Sequence, residues 1–349
     1  MKTDDIVEKI IESVEGYEFK DFLLGSIIDP RIQDREDEFR ARLNIFAGEA
    51  FKRNLNRVVG IKLAKIWNKP VEFDLPVLNI YIKIVHNNFS IEIQSNPLCI
   101  QGKYRKYERG IPQTHWPHRS CRGKGCKECN FTGKQYETSV EELITPYVQK
   151  YAMGVGNSSK FHGAGREDID ARCLGDGRPF IVEIKNPRVR TIPLKKIEKE
   201  IQSEIGTRVD AVNLEIVPRS EIKNLKGKGE KTSKTYLILV ESDIDMDEDK
   251  FQLKMKEVHE QLDGKIIYQR TPIRVVHRRA DKTREKKIYE IHGKWIDSRH
   301  FQFKIKSIGG TYIKELASGD SGRTTPSLTG IFGVGLKCVE LDVLEISSN

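Results

Sequence analysis

Two carboxylates, Asp168 and Asp170, stand two residues apart in the segment from Arg166 to Asp170, near a basic side chain. If the segment is extended, Asp168 and Asp170 point to one side, and Ile169 between them packs into a core. The preceding Gly-Ala-Gly permits a left-handed backbone. Charge beside a tight turn and a buried strand is energetically unfavourable, so the pattern indicates a site with tuned carboxylates. The alternative is a polar hairpin with surface ion pairs.

The residues that follow are predicted to form the turn and the strand that hold this site. Residues 175–179, Gly-Asp-Gly-Arg-Pro, are typical of a turn. Residues 180–184, Phe-Ile-Val-Glu-Ile, indicate a buried strand.

A second chemical pattern is H-x2-C-x4-C-x2-C, formed by His118, Cys121, Cys126 and Cys129. Four such ligands can close a tetrahedron around Zn²⁺ and leave no open position for a substrate. The spacing therefore predicts a small structural zinc knuckle at about residues 115–135. The alternative is a set of free thiols, with His115 or no residue as the fourth ligand.

Basic and aromatic residues alternate just upstream, at Lys103, Tyr104, Arg105 and Lys106. Such interleaving is typical of surfaces where bases stack and phosphates are neutralised, although an ordinary basic loop is the alternative. Residues 268–281 carry further arginines, which favour bidentate phosphate contacts. These include Arg270, Arg274, Arg278 and Arg279. The lysine- and glycine-rich stretch 223–234 predicts a mobile loop that clamps a phosphate backbone or is simply solvated.

Composition narrows the class of protein. The 349 residues carry a net charge of +9 with a pI near 9.1, which favours a polyanionic partner, RNA or DNA first. A surface rich in ion pairs would look similar, because 51 acids accompany 60 bases. No apolar run approaches the roughly 20 residues of a membrane span. The acidic N-terminus does not resemble a signal peptide, and six cysteines are too few for a disulfide framework. We expect a cytoplasmic protein.

Helical and strand periods suggest the elements that position these residues. Residues 1 to about 70 are predicted to be helical, with one apolar face formed by Phe39, Leu43, Phe46, Ala47 and Phe51. Residues 78–84 and 89–93 alternate as a hairpin. Further predicted elements are a capped helix at 139–153, a buried strand at 236–240, a helix at 251–262 and a glycine turn that opens a helix near 310.

Five blocks together resemble the archaeal and eukaryotic tRNA pseudouridine synthases that act on uridines 54 and 55 of the TΨC arm. The blocks are KYRKYERGIPQTHWPH, GREDIDARCLGDGRPFIVEIKNP, KTYLILV, QRTPIRVVHRRADKTR and GGTYIKELASGDSGRTTPSL. The resemblance spans roughly residues 70–349. It implies an isomerase that detaches uracil from ribose, turns it and rejoins it through carbon 5, without a catalytic cofactor.

The resemblance also implies roles for individual residues. Asp168 matches the catalytic aspartate, nucleophile or base, and Tyr236 the tyrosine of the second motif. Lys314 matches the basic residue that pairs with the aspartate. Arg166, Arg274, Arg278, Arg279 and the 223–234 loop would hold tRNA phosphates. The family usually has cysteine as the first ligand of its four-cysteine cluster, where this chain has His118.

The expected fold class is α/β (α+β). A pseudouridine-synthase domain with a mixed, largely antiparallel sheet is expected at residues 138–349. A THUMP-like α/β RNA-binding domain, including the zinc knuckle, is expected at residues 1–137. The expected partner is tRNA through its TΨC arm, with no membrane and no obligate protein partner. The alternatives are a non-catalytic, zinc-containing tRNA-binding or RNA-chaperone protein and an RNA methyltransferase whose donor loop would be residues 154–156.

Overall fold

A computed structural model describes residues 2–45, 47–86, 88–153, 159–227 and 232–348. The chain divides into two compact units. The first comprises Met1–Cys99, Val148–Lys160 and Glu183–Pro193, and the second Ile100–Tyr147, Phe161–Val182 and Leu194–Asn349. The expected boundary at 137 therefore falls inside the second unit. The segment just before it joins that unit because the strand Leu98–Lys106 is hydrogen-bonded into the larger sheet.

The first unit has a three-stranded sheet and helices. Its elements are α1 (Thr3–Val14), β1 (Phe22–Ile28), α2 (Pro30–Arg42), α3 (Phe51–Trp67), β2 (Leu78–Val85) and β3 (Asn88–Ser95). The sheet order is β1-β2-β3, with β1 parallel and β3 antiparallel to β2. Helices α1 and α3 bury their apolar residues in the core that β1 and β2 share.

The predicted β2–β3 hairpin is confirmed, although Asn87 in its turn lies outside the described residues. Two expectations for the first 70 residues are wrong. Strand β1 interrupts the helices, and the apolar face predicted from Phe39 to Phe51 is solvent-exposed in its described part, since Phe39 is 53% and Leu43 51% exposed. The helical period of the apolar residues suggested one continuous helix, but α2 ends at Arg42 and α3 begins at Phe51.

The remaining elements begin with β4 (Leu98–Lys106). They continue with α4 (Val140–Ala152), β5 (Ser159–Gly163), β6 (Arg172–Ile184), α5 (Leu194–Ile205), β7 (Val209–Val217), α6 (Glu221–Gly227), β8 (Thr232–Ser242), α7 (Glu248–Leu262) and β9 (Ile266–Arg270). The chain ends with β10 (Thr283–Trp295), β11 (His300–Ile308), α8 (Ile313–Ser318), β12 (Thr324–Thr325), α9 (Leu328–Phe332) and β13 (Leu336–Ser348). Short 3-10 helices lie at Lys127–Cys129, Ile273–Arg278 and Gly319–Gly322.

A ten-stranded mixed sheet dominates this part of the chain. Its order is β12-β9-β10-β11-β8-β13-β6-β4-β7, and β5 pairs with β6. Neighbours from β9 to β13 are antiparallel, and β13 is parallel to β6. Helix α7 packs Phe251 against Phe301 and Phe303 of β11, which anchors one face of the sheet. The expected α+β class with a mixed, largely antiparallel sheet is confirmed.

The turn predicted at residues 175–179 is wrong, because these residues lie inside the long strand β6. Gly175 and Gly177 have φ values of +60° and +80°, which glycine adopts without steric penalty. A Cβ on Gly177 would lie 2.7 Å from the carbonyl oxygen of Tyr104. The glycines therefore allow β6 and its neighbouring strand to approach closely. The strand that was predicted to begin at Phe180 begins at Arg172.

Other expectations are confirmed. Ser139 caps α4, since its Oγ accepts a hydrogen bond from the Glu142 N–H at 3.2 Å and donates one to the Glu142 carboxylate at 2.8 Å. The helix predicted at 251–262 is α7, and the glycine turn near 310 leads into α8. The stretch 223–234 is not one loop, because α6 extends to Gly227 and β8 begins at Thr232; residues 228–231 lie outside the described part.

No helix in the described ranges combines the length and apolar character that a membrane crossing requires.

Candidate active site

A cavity of about 180 Å³ opens beside the middle of strand β8. Successive strand residues point to opposite faces, so Lys234 and Tyr236 share a face, and both line this cavity. Their side chains are nearly inaccessible, with residue exposures of 8% and 7%. The loop that carries Asp168 also lines this cavity, and so does the first turn of α8, which carries Lys314. Three residues far apart in sequence, Asp168, Tyr236 and Lys314, therefore meet at one site.

Asp168 lies in a turn, not in an extended segment. The N–H of Ala171 donates to the Asp168 carbonyl oxygen at 3.0 Å, which folds the chain back between them. Both carboxylates nevertheless face one cation: Lys314 Nζ lies 2.6 Å from Asp170 Oδ2 and 3.7 Å from Asp168 Oδ2. Ile169 is half-buried and does not enter a core as expected.

Arg274 is the second cation at Asp168. Its guanidinium lies 3.3 Å from each oxygen of the Asp168 carboxylate, and its Nε donates to Glu315 at 2.6 Å. Glu315 is buried on α8, one residue after Lys314. Arg274 thus contacts two carboxylates, while its side chain stays 40% exposed, so the expected contact with backbone phosphate stays a prediction. These ion pairs fix a carboxylate that remains 36% exposed to the cavity.

The residue before Asp168 is the centre of a buried polar network. The side chains of Glu167 and Arg178 are each only 1% exposed, and Arg178 Nε donates to Glu167 at 2.7 Å. The Tyr104 hydroxyl lies 2.9 and 2.8 Å from the two Glu167 oxygens. The Lys106 ammonium donates to the carbonyl oxygens of Ile111 at 2.7 Å and of Ile169 at 3.0 Å. The network clamps both ends of the turn that carries Asp168.

Two of the four residues expected to contact RNA at 103–106, Tyr104 and Lys106, are inaccessible. Both are completely buried because they lie on the inward face of β4. There Tyr104 contacts Glu167, and Lys106 contacts the turn that carries Asp168. Arg105 on the outward face pairs with buried Asp210. Lys103 lines a different cavity, beside Glu215 and Glu221.

The ionisation of Tyr236 limits its chemistry. Burial, followed by the negative charge of Asp168, raises the pKa of Tyr236 to about 12, although Arg178 opposes the shift. At neutral pH the phenol is therefore protonated, and it serves as a ring surface or a hydrogen-bond donor. It is poorly suited to abstracting a proton in its resting state.

Besides Arg178 and Arg274, three further arginines line the same cavity as Asp168: Arg166, Arg278 and Arg279. Their guanidinium groups share this one cavity, and burial, followed by the positive charges of Arg278 and Arg279, lowers the pKa of Arg166. Arg166 also lies over the Trp116 ring, 5.6 Å from its centroid, and Arg279 donates to the Tyr312 hydroxyl at 2.8 Å. An exposed guanidinium cluster with adjacent aromatic rings suits a polyanion that carries bases.

Comparison with known proteins places the chain in a family. The model of the Pus10 C-terminal region matches residues 99–347, and the model of the archaeal Pus10 THUMP domain matches residues 6–83. The chain belongs to the Pus10 family. It is 42% identical over 348 residues to a protein of Methanocaldococcus jannaschii named tRNA pseudouridine synthase Pus10, covering 100% of this chain and 73% of the relative.

Two further relatives carry the same name. The Methanothermobacter marburgensis protein is 43% identical and the Methanococcus voltae protein 42% identical, over 99% and 98% of this chain. The chain spans 83% and 65% of their respective lengths. The family resemblance drawn from the five sequence blocks is thus confirmed, and so is the THUMP character of the N-terminal part.

Sequence reasoning missed two residues at this Pus10-family site, Arg178 and Lys234. Arg178 was assigned to a turn, and Lys234 to a basic loop. One signal was available for Lys234: it stands two residues before Tyr236, so a strand that starts earlier places both on one face. The proposed methyltransferase loop at residues 154–156 lies outside the described part of the chain.

The four metal-ligand candidates come together as predicted. Ligand atoms of His118, Cys121, Cys126 and Cys129 all lie within 4.8 Å of one another. Sulfur separations are 3.9 Å for Cys121–Cys129 and 3.7 Å for Cys126–Cys129, and Cys126 Sγ lies 3.6 Å from His118 Nδ1. Tetrahedral Zn–S bonds of about 2.3 Å give S···S edges of about 3.8 Å, so the separations fit.

The surrounding backbone favours the thiolate form of Cys129. Burial raises the pKa of the Cys129 thiol, but N–H groups of Cys126 and Gly133, at 3.2 and 3.3 Å from its sulfur, lower it to about 6. Gly125 has φ +86°, and a Cβ there would lie 2.7 Å from the Phe131 carbonyl oxygen. The cluster could therefore hold a metal ion in a tightly folded knuckle.

Proposed function

We propose that this member of the Pus10 family is a tRNA pseudouridine synthase that converts uridine 54, uridine 55 or both, in the TΨC arm, to pseudouridine. One observation carries the proposal: Asp168 faces a small cavity together with Tyr236, with Arg274 and Lys314 on its carboxylate. The relatives that match nearly the whole chain are named tRNA pseudouridine synthases, and this name gives the reaction class.

The reaction is an isomerisation. The N1–C1′ bond of uridine breaks, and its electron pair remains on the uracil. A bond then forms between C5 and C1′, the C5 proton leaves to solvent, and N1 takes up a proton. Asp168 acts on the ribose as nucleophile or base, and an anion is required for either role. Arg274 and Lys314 lie 3.3 and 3.7 Å from that carboxylate.

The target base must leave its stack before it reaches Asp168. Extrusion costs a few kcal/mol, which contacts in the cavity offset. Tyr236 offers a ring face on which an extruded uracil can stack. Because its phenol is protonated, we assign Tyr236 to stacking or hydrogen-bond donation and not to initial proton abstraction.

The guanidinium cluster of Arg166, Arg278 and Arg279 would bind tRNA phosphates. If so, tRNA affinity falls steeply with salt, and each arginine replaced by alanine lowers the slope of log Kd against log salt by about 0.7–0.9. Filter binding of Arg278→Ala and Arg279→Ala between low and physiological salt measures this slope. Arg299→Ala, which removes an exposed arginine outside the cavity, is the control. An unchanged slope in both test variants contradicts the assignment.

The metal that suits the His118 cluster is structural Zn²⁺. We expect about one zinc per purified chain, and we expect Cys126→Ser to lose it because a thiolate ligand disappears. Metal analysis after gel filtration measures the content. Cys338→Ser, which removes a cysteine outside the cluster, should retain zinc. A metal-free wild-type chain with normal activity would contradict the assignment.

The domain roles follow the family. Residues 6–83, which the THUMP model matches, would grip tRNA away from the target loop, and residues 99–347, which the C-terminal model matches, would carry the catalysis. We further propose that the enzyme acts in the cytoplasm, without an obligate protein partner.

Mapping the product tests the proposed function. Unmodified tRNA carrying uridine at position 54, at 55 or at neither is incubated with the protein, and pseudouridine is located by carbodiimide treatment and primer extension. We expect stops at one or both positions and none with the doubly substituted tRNA. The protein would instead be a non-catalytic tRNA-binding protein if it bound the tRNA tightly and produced no stop.

A further inference from the structure

Lys234 is a buried cation to which the proposed chemistry gives no role. Only 8% of the residue is exposed, and it lines the cavity that contains Asp168 and Tyr236. Within the described ranges, no protein acceptor lies at hydrogen-bonding distance from its ammonium group, and it forms no ion pair. The ammonium is not one of the fully enclosed, unsatisfied atoms of the described residues, so it reaches the cavity, and a cation held there without a protein partner is available to a ligand.

A second positive charge, that of Arg178, lies near Lys234. A Cβ on Gly165 would lie 3.7 Å from Lys234 Nζ and 3.4 Å from Arg178 Nη1, so the ammonium and the guanidinium flank the same glycine. Arg178 is neutralised by Glu167, but Lys234 has no such contact. Burial, followed by the charge of Arg178, lowers the pKa of Lys234 to about 8. At neutral pH most of the population still carries the proton.

The position of Lys234 favours the base of the substrate over its phosphates. Lys234 and Tyr236 point into the cavity from one face of β8, roughly 7 Å apart along the strand. A uracil stacked near Tyr236 therefore presents an edge toward Lys234. Arg278 and Arg279, by contrast, are exposed, as phosphate-binding groups must be.

We propose that Lys234 donates a hydrogen bond to a carbonyl oxygen of the extruded uracil and stabilises the negative charge of the detached base. This inference rests on the proposed function. When the N1–C1′ bond breaks, the electron pair spreads over N1, O2 and O4 of the uracil. The ammonium keeps its proton throughout, so Lys234 transfers no proton in this step. A preorganised donor at a site of developing charge is an effective form of catalysis.

The first test replaces Lys234 by methionine, which keeps the length and removes the charge. We expect the single-turnover rate constant at saturating enzyme to fall about 10²- to 10³-fold, as for other lost charge-stabilising donors. The Kd for tRNA should change little. Lys304→Met, an exposed site on the neighbouring strand β11, is the matched control and should keep the wild-type rate.

Thermal stability separates a substrate contact from a structural role. Removing an unpaired buried charge should leave the melting temperature of Lys234→Met equal to or above that of the wild type. If methionine prevents folding, Lys234→Gln supplies the same comparison. A near-wild-type rate overturns the proposal, and so does a lost rate accompanied by a lower melting temperature, because that pair of results indicates a structural lysine.

Modified substrates identify the atom that Lys234 contacts. Sulfur is a weaker acceptor than oxygen. We therefore expect that either 2-thiouridine or 4-thiouridine at the target position slows the wild type but does not slow Lys234→Met further. The substitution with this effect identifies the oxygen that Lys234 contacts. A methylphosphonate 5′ to the target should slow both proteins equally. Coupling to the methylphosphonate alone would overturn the base contact in favour of phosphate. If the wild type forms no pseudouridine, the proposed function fails; if only the Lys234 effects are missing, this inference alone fails.

Discussion

Asp168→Asn is expected to abolish pseudouridine formation and to leave tRNA affinity close to that of the wild type. Asparagine keeps the size and the hydrogen-bonding capacity of the side chain, but it removes the anion that attacks ribose or takes a proton. Loss of a nucleophile or base typically lowers a rate by at least about 10³-fold. The measurement is the single-turnover rate of pseudouridine formation at saturating enzyme, together with Kd from filter binding.

Asp170→Asn is the matched control for this variant. Asp170 is two residues away and contacts the same Lys314, at 2.6 to 2.8 Å, but its side chain is 65% exposed and lies outside the small cavity of Asp168. We expect it to lose far less activity than Asp168→Asn. Turnover of Asp168→Asn near the wild-type rate would remove this carboxylate from the mechanism, and equal losses in both variants would indicate a shared electrostatic effect.

The second large effect is expected from the buried pair beneath the site. Replacing Arg178 by methionine leaves the Glu167 carboxylate, 1% exposed, without its nearest cation. Removing one member of a buried pair typically destabilises a protein by about 3–5 kcal/mol. Burial raises the pKa of Glu167, but Arg178 and Lys106 outweigh burial and lower it, which agrees with a carboxylate that depends on its cations. Chemical denaturation measures the loss.

Two further variants interpret that result. The double variant Arg178→Met with Glu167→Gln removes both charges, so it should be more stable than Arg178→Met alone. Lys9→Ala breaks an exposed pair with Glu12 in α1 and should not change the unfolding measurably. If Arg178→Met unfolds like the wild type, the network does not hold the Asp168 turn.

Local patterns explain which parts of the structure could be predicted. The cap of α4 depends on Ser139 and Glu142, three residues apart, and the zinc-type cluster depends on four ligands within twelve residues. Both signals are short in sequence. The meeting of Asp168, Tyr236 and Lys314 has no such local signal, and only the family motifs brought it into view.

The errors arise where a partner is distant in sequence. Alternating basic and aromatic residues at 103–106 looked like an RNA surface, but a strand with two polar faces has the same alternation. The buried Tyr104 hydroxyl donates its hydrogen bond to Glu167, which is 63 residues away. The sequence likewise contained no sign that Arg274 would pair with Asp168 and Glu315, which lie 106 and 41 residues away. Local composition identifies a basic residue but not the carboxylate that will neutralise it.

The most direct measurement follows the C5 hydrogen of the target uridine. Unmodified tRNA labelled with tritium at C5 of its uridines is incubated with the purified chain, and tritium in solvent is counted. Pseudouridine formation replaces C5–H by C5–C1′, so we expect release equivalent to one or two uridines per tRNA, with none from Asp168→Asn. Saturated binding of tRNA by the wild type without any tritium release would contradict an isomerase centred on Asp168.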